Sequence, residues 1–379
     1  MSPPLSAGAP SSDGIPADVN AIVGGFLSDL GFVQTSRQKS YGYKRAAAAI
    51  LGLDHPLPDV ITGDGALPRI AGIGPASSRV ILEVLSSGES PTVESAIEAA
   101  GRQVDIERRR RLRTRFLSRA EVRRVLDDAS LDGPGLDDYH GDFQLHSEWS
   151  DGRPTLAEIV AACVARGYHF AAVTDHSHGL AIAGGMSMAD AAAQRTVVDA
   201  LNAEYEGRFR LLQGIEANID RHGGLDVSEP EAASFDLVLA APHSALRKDD
   251  DQTARMVAAV SQPHVRILAH PRGRMSGVRA GVRADWAEVF GAAASRGVAI
   301  EIDGDPSRQD LDFVLAQQAC EAGCLLALDS DAHTTAQLAY SDTALAHARL
   351  AGIPVDRIVN CWPLDRLLAW IVEPRTERV

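Results

Sequence analysis

Gly141-Asp-Phe-Gln-Leu-His-Ser-Glu-Trp-Ser-Asp-Gly152 decides the fold. A short apolar strand, Asp142–Leu145, runs directly into His146, and Asp151 follows within a Ser-Asp-Gly turn. The same pattern, an apolar strand ending in a polar side chain, then recurs down the chain. Strands are expected at Phe170–Thr174, Arg210–Ile215, Leu237–Ala241, Ile267–Ala269, Val298–Ile302 and Leu325–Leu328, each separated from the next by a segment of helical length. Seven strands alternating with helices predict an α/β fold, a parallel (β/α)7 barrel.

In such barrels the functional side chains come from the C-terminal ends of the strands. His146 and Asp151 follow the first strand, Asp175-His176 the second, Glu216 the third, His243 the fourth, His270 the fifth, and Asp331 and His333 the seventh. A single histidine is more often an ordinary core or surface residue, but six strand ends of seven converging on one rim point to a metal centre. Imidazoles and carboxylates without thiolates suit zinc, manganese or iron, and a shared glutamate is able to bridge two ions. The strand ends carry neither Gly-x-Ser-x-Gly nor a phosphate-cradling Gly-x4-Gly-Lys loop, so metal-activated hydrolysis is the economical chemistry.

Upstream, residues 17–100 read as a helical domain. Gly72 and Gly74 within Leu67-Pro-Arg-Ile-Ala-Gly-Ile-Gly-Pro-Ala76 permit a tight hairpin, and Pro75 suits the first turn of the next helix. Backbone N–H groups facing outward there would grip a nucleic-acid phosphate without reading bases; a plain turn between packed helices is the alternative. Between Arg102 and Arg124, ten arginines meet only Asp105, Glu107 and Glu121, a local excess of seven positive charges in a chain of net charge −14. Residues 101–138 therefore read as a basic helical linker, with Arg108, Arg109 and Arg111 as candidate phosphate contacts beside Gly72 and Gly74. Residues 1–16 read as a disordered tail. No apolar run approaches the ~18 residues needed to span a bilayer. Cys163, Cys320, Cys324 and Cys361 form no Cys-x-x-Cys pair, so core thiols and a cytoplasmic location are expected.

The opening stretch, with Thr174-Asp-His-Ser177, Gly214-Ile-Glu216, Ala241-Pro-His-Ser244, Leu268-Ala-His-Pro-Arg-Gly-Arg274 and Asp329-Ser-Asp-Ala-His333, resembles the polymerase and histidinol phosphatase (PHP) family of phosphoesterases across residues 139–379. Glu301-Ile-Asp-Gly-Asp-Pro-Ser-Arg308, Tyr43-Lys-Arg-Ala-Ala47 and the glycine hairpin are similar to the PHP domain and the helix-hairpin-helix domain of family X DNA polymerases. Residues 101–138 are too few for a polymerase palm, and Gln144 replaces the first imidazole of the family's His-x-His opening.

The resemblance implies two or three divalent ions per chain. One would take His146, Glu216 and Asp331, with Gln144; a second Glu216, His243 and His270; a third Asp151, His176 and His333. Asp175 and Asp329 would orient ligands, Glu216 and Asp331 would serve catalysis, Arg272, Arg274 and Arg308 would clamp phosphate, and His178 would donate a proton. The implied activity is hydrolysis of phosphate esters at nucleic-acid ends, as a 3′–5′ exonuclease or 3′-phosphatase of DNA repair. The alternatives are a small-molecule phosphatase of histidinol-phosphate or nucleotide type and a non-catalytic DNA-binding protein.

Overall fold

The computed structural model describes residues 17–63 and 65–373; the tail expected at 1–16 lies outside the described residues. The chain divides after Asp127 into two compact units.

The first unit is helical: α1 (Val19–Val33), α2 (Arg37–Leu51), α3 (Leu57–Val60), α4 (Pro75–Ser87), α5 (Pro91–Ala100), α6 (Gln103–Arg111) and α7 (Arg119–Asp127). Val23, Leu27 and Leu30 of α1 pack with Ile50, Val80, Ile81, Val84, Val93, Ile97 and Ile106 in one core. Asp18, Ser36 and Ser90 each cap a helix through a side-chain oxygen, meeting an N–H that the first turn leaves unpaired. Gly72 takes a φ of 90° and Gly74 stands at the N-cap of α4, which has no side-chain cap.

The arginine run belongs to this unit, and most of its charge is met internally. Asp29, 1% exposed, holds both Arg110 (2.8 Å) and Arg113 (2.6 Å). Arg119 and Arg123 pair with Asp54, Arg124 with Glu121 and Arg102 with Asp105. Arg109 is half-buried with its guanidinium 4.3 Å above the Phe32 ring, while Arg108 and Arg111 are exposed.

The second unit is a single parallel sheet in the order β1 (Gly141–Leu145), β2 (Phe170–Val173), β3 (Arg210–Asn218), β4 (Leu237–Ala241), β5 (Val265–Leu268), β6 (Ala299–Asp303) and β7 (Leu325–Asp329). The strands are buried almost end to end, as strands covered on both faces must be. β3 runs to Asn218, three residues past the expected end at Ile215, so Glu216 lies within the strand and not beyond it. Phe143 and Phe170 stack at 5.5 Å in the core with Trp362 and Trp370, each buried phenylalanine contributing about 1.5–3 kcal/mol.

β1 meets the segment just after β7 through a single bridge at Leu145 and Ala332. Below it, side chains replace the ladder. Asp329 Oδ1 accepts from the Phe143 N–H at 2.8 Å and Asp142 Oδ1 from the Ser330 N–H at 3.3 Å. Asn360 spans the same seam: its amide donates to the carbonyls of Gly141 (2.9 Å) and Leu328 (2.8 Å), and its oxygen accepts from the Leu328 N–H at 2.7 Å. Burial pushes Asp329 up to about 6 and raises Asp142, its neighbour across the seam, well above the carboxylate range.

Asn360→Ala strands one backbone N–H and two carbonyls in a dry interior, so barrel stability should fall by about 2–4 kcal/mol. All four tryptophans (Trp149, Trp286, Trp362, Trp370) belong to the barrel, so urea unfolding followed by tryptophan fluorescence reads this unit alone. A loss below about 0.5 kcal/mol would mean that water enters and satisfies the seam.

Candidate metal centre

Strand alternation places Glu216 and Asn218 of β3 on one face, and the ends of β1, β2, β4, β5 and β7 bring five histidines around them. Glu216 is fully buried at the middle. Its Oε1 lies 2.8 Å from His270 Nε2 and 3.2 Å from His243 Nε2. Its Oε2 lies 3.1 Å from His176 Nδ1 and 3.3 Å from His146 Nε2. His146 Nε2 is also 3.2 Å from Asp331 Oδ1. Asp151 draws in the outer side, at 3.3 Å from His333 Nε2 and 3.6 Å from His176 Nε2. His146 stacks between His176 and His333 with ring centroids 4.5 and 4.4 Å apart.

Two sets of potential ligand atoms lie within 4.8 Å of one another: His146, Asp151, His176 and His333, and then His176, Glu216 and His243. His176 belongs to both, and His146 joins the set expected to contain only Asp151, His176 and His333. Several of these atoms are close without being hydrogen-bonded. Both nitrogens of His146, Nδ1 of His176 and Oε2 of Glu216 are buried with no hydrogen-bond partner among the described residues, as are both amide atoms of Gln144. Buried polar atoms are costly to leave unmatched, and atoms that converge without bonding one another fit a divalent cation placed among them.

The electrostatics agree. Burial would raise Glu216, but His176, His243 and His270 hold it far below the carboxylate range. Burial would lower His176, yet Glu216, Asp151 and Asp331 hold it up at about 9; His333 is held at about 9 against burial by Asp151 and Asp331. Protonated His176 and His333 balance the carboxylates in this arrangement; a divalent cation bound among them would supply that charge and displace the ring protons. His270 and Asp331 occupy left-handed backbone at φ of 26° and 51°, strain of the kind that persists where surroundings over-determine a functional geometry.

Partners that the sequence reading missed fix the ligands. His243 Nδ1 is 2.6 Å from Asn218 Oδ1, which leaves Nε2 free to face Glu216. Asn218 is itself bonded to Asp226 and Ser177. The signal was its place two residues after Glu216 on one strand, hence on the same face. Asp175 accepts from Ser147 (2.6 Å), Ser150 (2.5 Å) and Gln194 (2.7 Å), tying down the loop after β1. Arg308 Nη1 lies 3.0 Å from Asp331 Oδ2. Arg274 is buried in a different set of contacts, with its guanidinium on the 308–312 loop. His178 is exposed, and no hydrogen bond or ion pair among the described residues joins it to the cluster.

A seven-stranded parallel barrel with buried imidazoles and carboxylates gathered at its C-terminal rim has the side chains that metal-assisted hydrolysis requires. No family model matches the chain. It is similar to the DNA polymerase/3′-5′ exonuclease PolX of Bacillus subtilis, 34% identical over 61% of this chain but only 40% of that protein. A probable phosphatase of Shewanella halifaxensis is 31% identical over 57% of this chain and 86% of that one. The probable phosphatase YcdX of Escherichia fergusonii is 28% identical over 60% and 93%. The chain belongs to the PHP family of metal-dependent phosphoesterases.

Asn218→Ala frees the His243 ring to rotate and should weaken divalent-metal affinity by about 10–100-fold. Competition with a calibrated chelator measures it; unchanged affinity would show that the backbone alone orients His243.

Proposed function

We propose that this protein hydrolyses phosphate esters at nucleic-acid ends, with His146, Asp151, His176, Glu216, His243, His270, Asp331 and His333 holding two or three divalent ions and Gln144 beside them. Bound ions would lower the pKa of an attacking water and neutralise charge on the phosphoryl oxygens. The chain's own groups orient this chemistry. Asn218 fixes the His243 tautomer, the Asp331 carbonyl lies 2.8 Å from His333 Nδ1, and Arg308 beside Asp331 offers a guanidinium fork for phosphoryl oxygens. His178 is exposed and free to approach a leaving group from solvent.

The observation that carries the nucleic-acid part is the first unit. A glycine hairpin opens onto α4, a 13-residue helix whose first N–H groups lack a side-chain cap, in the same unit as exposed Arg108 and Arg111. That is the chemistry of a backbone phosphate grip. Similarity to a relative named as a 3′-5′ exonuclease supports the same substrate. A second reading, a small-molecule phosphatase, is favoured by the probable phosphatases that this chain matches over 86% and 93% of their length.

The full-length protein, loaded with Mn²⁺ or Zn²⁺, should shorten or dephosphorylate end-labelled DNA. Replacing Arg108 and Arg111 together by Gln should reduce the slope of log affinity for DNA against log salt by about 0.9 per contact removed. Turnover of p-nitrophenyl phosphate should be unchanged. Identical DNA binding in wild type and variant, with good monoester turnover, would favour the small-molecule phosphatase.

A further inference from the structure

Arg274, expected to clamp phosphate, commits its guanidinium to the 308–312 segment. The residue is 4% exposed. Nε donates to the carbonyls of Arg308 (2.9 Å) and Gln309 (3.0 Å), Nη2 donates to the Gln309 carbonyl, and Nη1 lies 3.2 Å from Asp312 Oδ2. One planar fork thus grips two successive carbonyls and a carboxylate. A lysine ammonium, a point charge on a flexible stem, does not reproduce that geometry.

The gripped segment is braced elsewhere. Asp303 and Asp310 exchange backbone hydrogen bonds in both directions (2.5 and 3.0 Å). The Asp310 carboxylate accepts from the Arg272 N–H at 2.9 Å. Gln309, at a φ of 45°, has its Oε1 2.8 Å from Nε2 of His347. Burial and the charge of Arg274 push His347 down to about 3, so it is neutral at ordinary pH and donates Nε2–H to the amide oxygen. The chain from Asp305 to Asp312 is therefore a fixed strap. Arg308 leaves it toward the metal cluster, 3.0 Å from Asp331 and 3.8 Å from Asp303.

We propose that Arg274, with Asp312 and the His347–Gln309 pair, is a positioning device that aims Arg308 at the phosphoryl group, and that Arg274 itself touches no substrate. The physical reason lies in where Arg274 binds. Holding the carbonyls of residues 308 and 309 fixes the peptide plane at the root of Arg308, and a long side chain anchored at a fixed root loses less freedom when it grips phosphate. The inference rests on the reading of the rim as a phosphoester hydrolase.

The test is a double-mutant cycle in the full-length, Mn²⁺-loaded protein, using Arg308→Ala, Arg274→Lys and the pair. The readouts are KM and kcat for p-nitrophenyl phosphate, calorimetric Kd for inorganic phosphate, and metal content. Arg308→Ala should raise KM and the phosphate Kd together by roughly 10–100-fold, the range for a charge-assisted hydrogen bond. Arg274→Lys should raise both in the same direction with kcat and metal content kept, and the double variant should be no worse than Arg308→Ala alone. Effects that multiply, or a fall in kcat or metal content with phosphate affinity intact, would overturn the proposal. Asp312→Asn, which loosens the same grip, replaces Arg274→Lys in the cycle if that variant does not fold. Because phosphate affinity needs no turnover, an inactive wild type that still binds phosphate counts against the hydrolase reading and leaves the cycle readable.

Discussion

Four imidazoles converge on one buried carboxylate, that of Glu216, and the rest of the barrel serves that convergence. An ionised glutamate with no exposure is among the most expensive groups a fold contains unless opposite charge surrounds it. Here the opposing groups come from the ends of β1, β2, β4 and β5, so no local segment is able to stabilise Glu216 alone. The site forms only when the parallel strands are in register. That constraint explains why the neighbouring loops are tied down so heavily: Asp175 anchors the turn after β1, Asn218 the ring of His243, and Arg255 the ends of β3 and β4 through the carbonyls of Ile219, Asp220 and Ser244.

The same demand acts at the seam. His146 follows β1 and Asp331 and His333 follow β7, and β1 meets the segment just after β7 through only one backbone bridge. Asp142, Asp329 and Asn360 bond across the gap to the opposite strand or its termini, so side chains set the spacing that a ladder sets elsewhere. The strap at residues 305–312 folds back on the end of β6 through the Asp303–Asp310 backbone pair and carries Arg308. The buried carboxylates of the site thus divide into two kinds: Glu216 and Asp331, held ionised by imidazoles and arginine, and Asp142, Glu301 and Asp303, which burial and then neighbouring carboxylates push well above their ordinary range.

Much of this was legible in the sequence because it is encoded locally. An apolar run ending in His or Asp is visible within ten residues, and the barrel rule converts seven such runs into one rim. The parts that escaped depend on pairings between distant segments. Arg274 reads as a phosphate ligand from its neighbours in sequence, but its partners are 34 to 38 residues away on the strap. The arginine run reads as a solvated or phosphate-facing surface, yet Asp29, 81 residues upstream of Arg110, draws it inward. Asn218 was overlooked because β3 is longer than its apolar pattern suggests, the polar Glu216 and Asn218 continuing the strand where burial is repaid by imidazole and amide partners.

The central claim is that Glu216 is the hub of a metal cluster. Anomalous X-ray diffraction from crystals grown with Mn²⁺ or Zn²⁺ tests it most directly. Two or three anomalous peaks are expected at the strand-end rim, at least one within about 2.0–2.2 Å of a Glu216 oxygen and of a His nitrogen. A fully loaded crystal with no peak at coordination distance from Glu216 would contradict it.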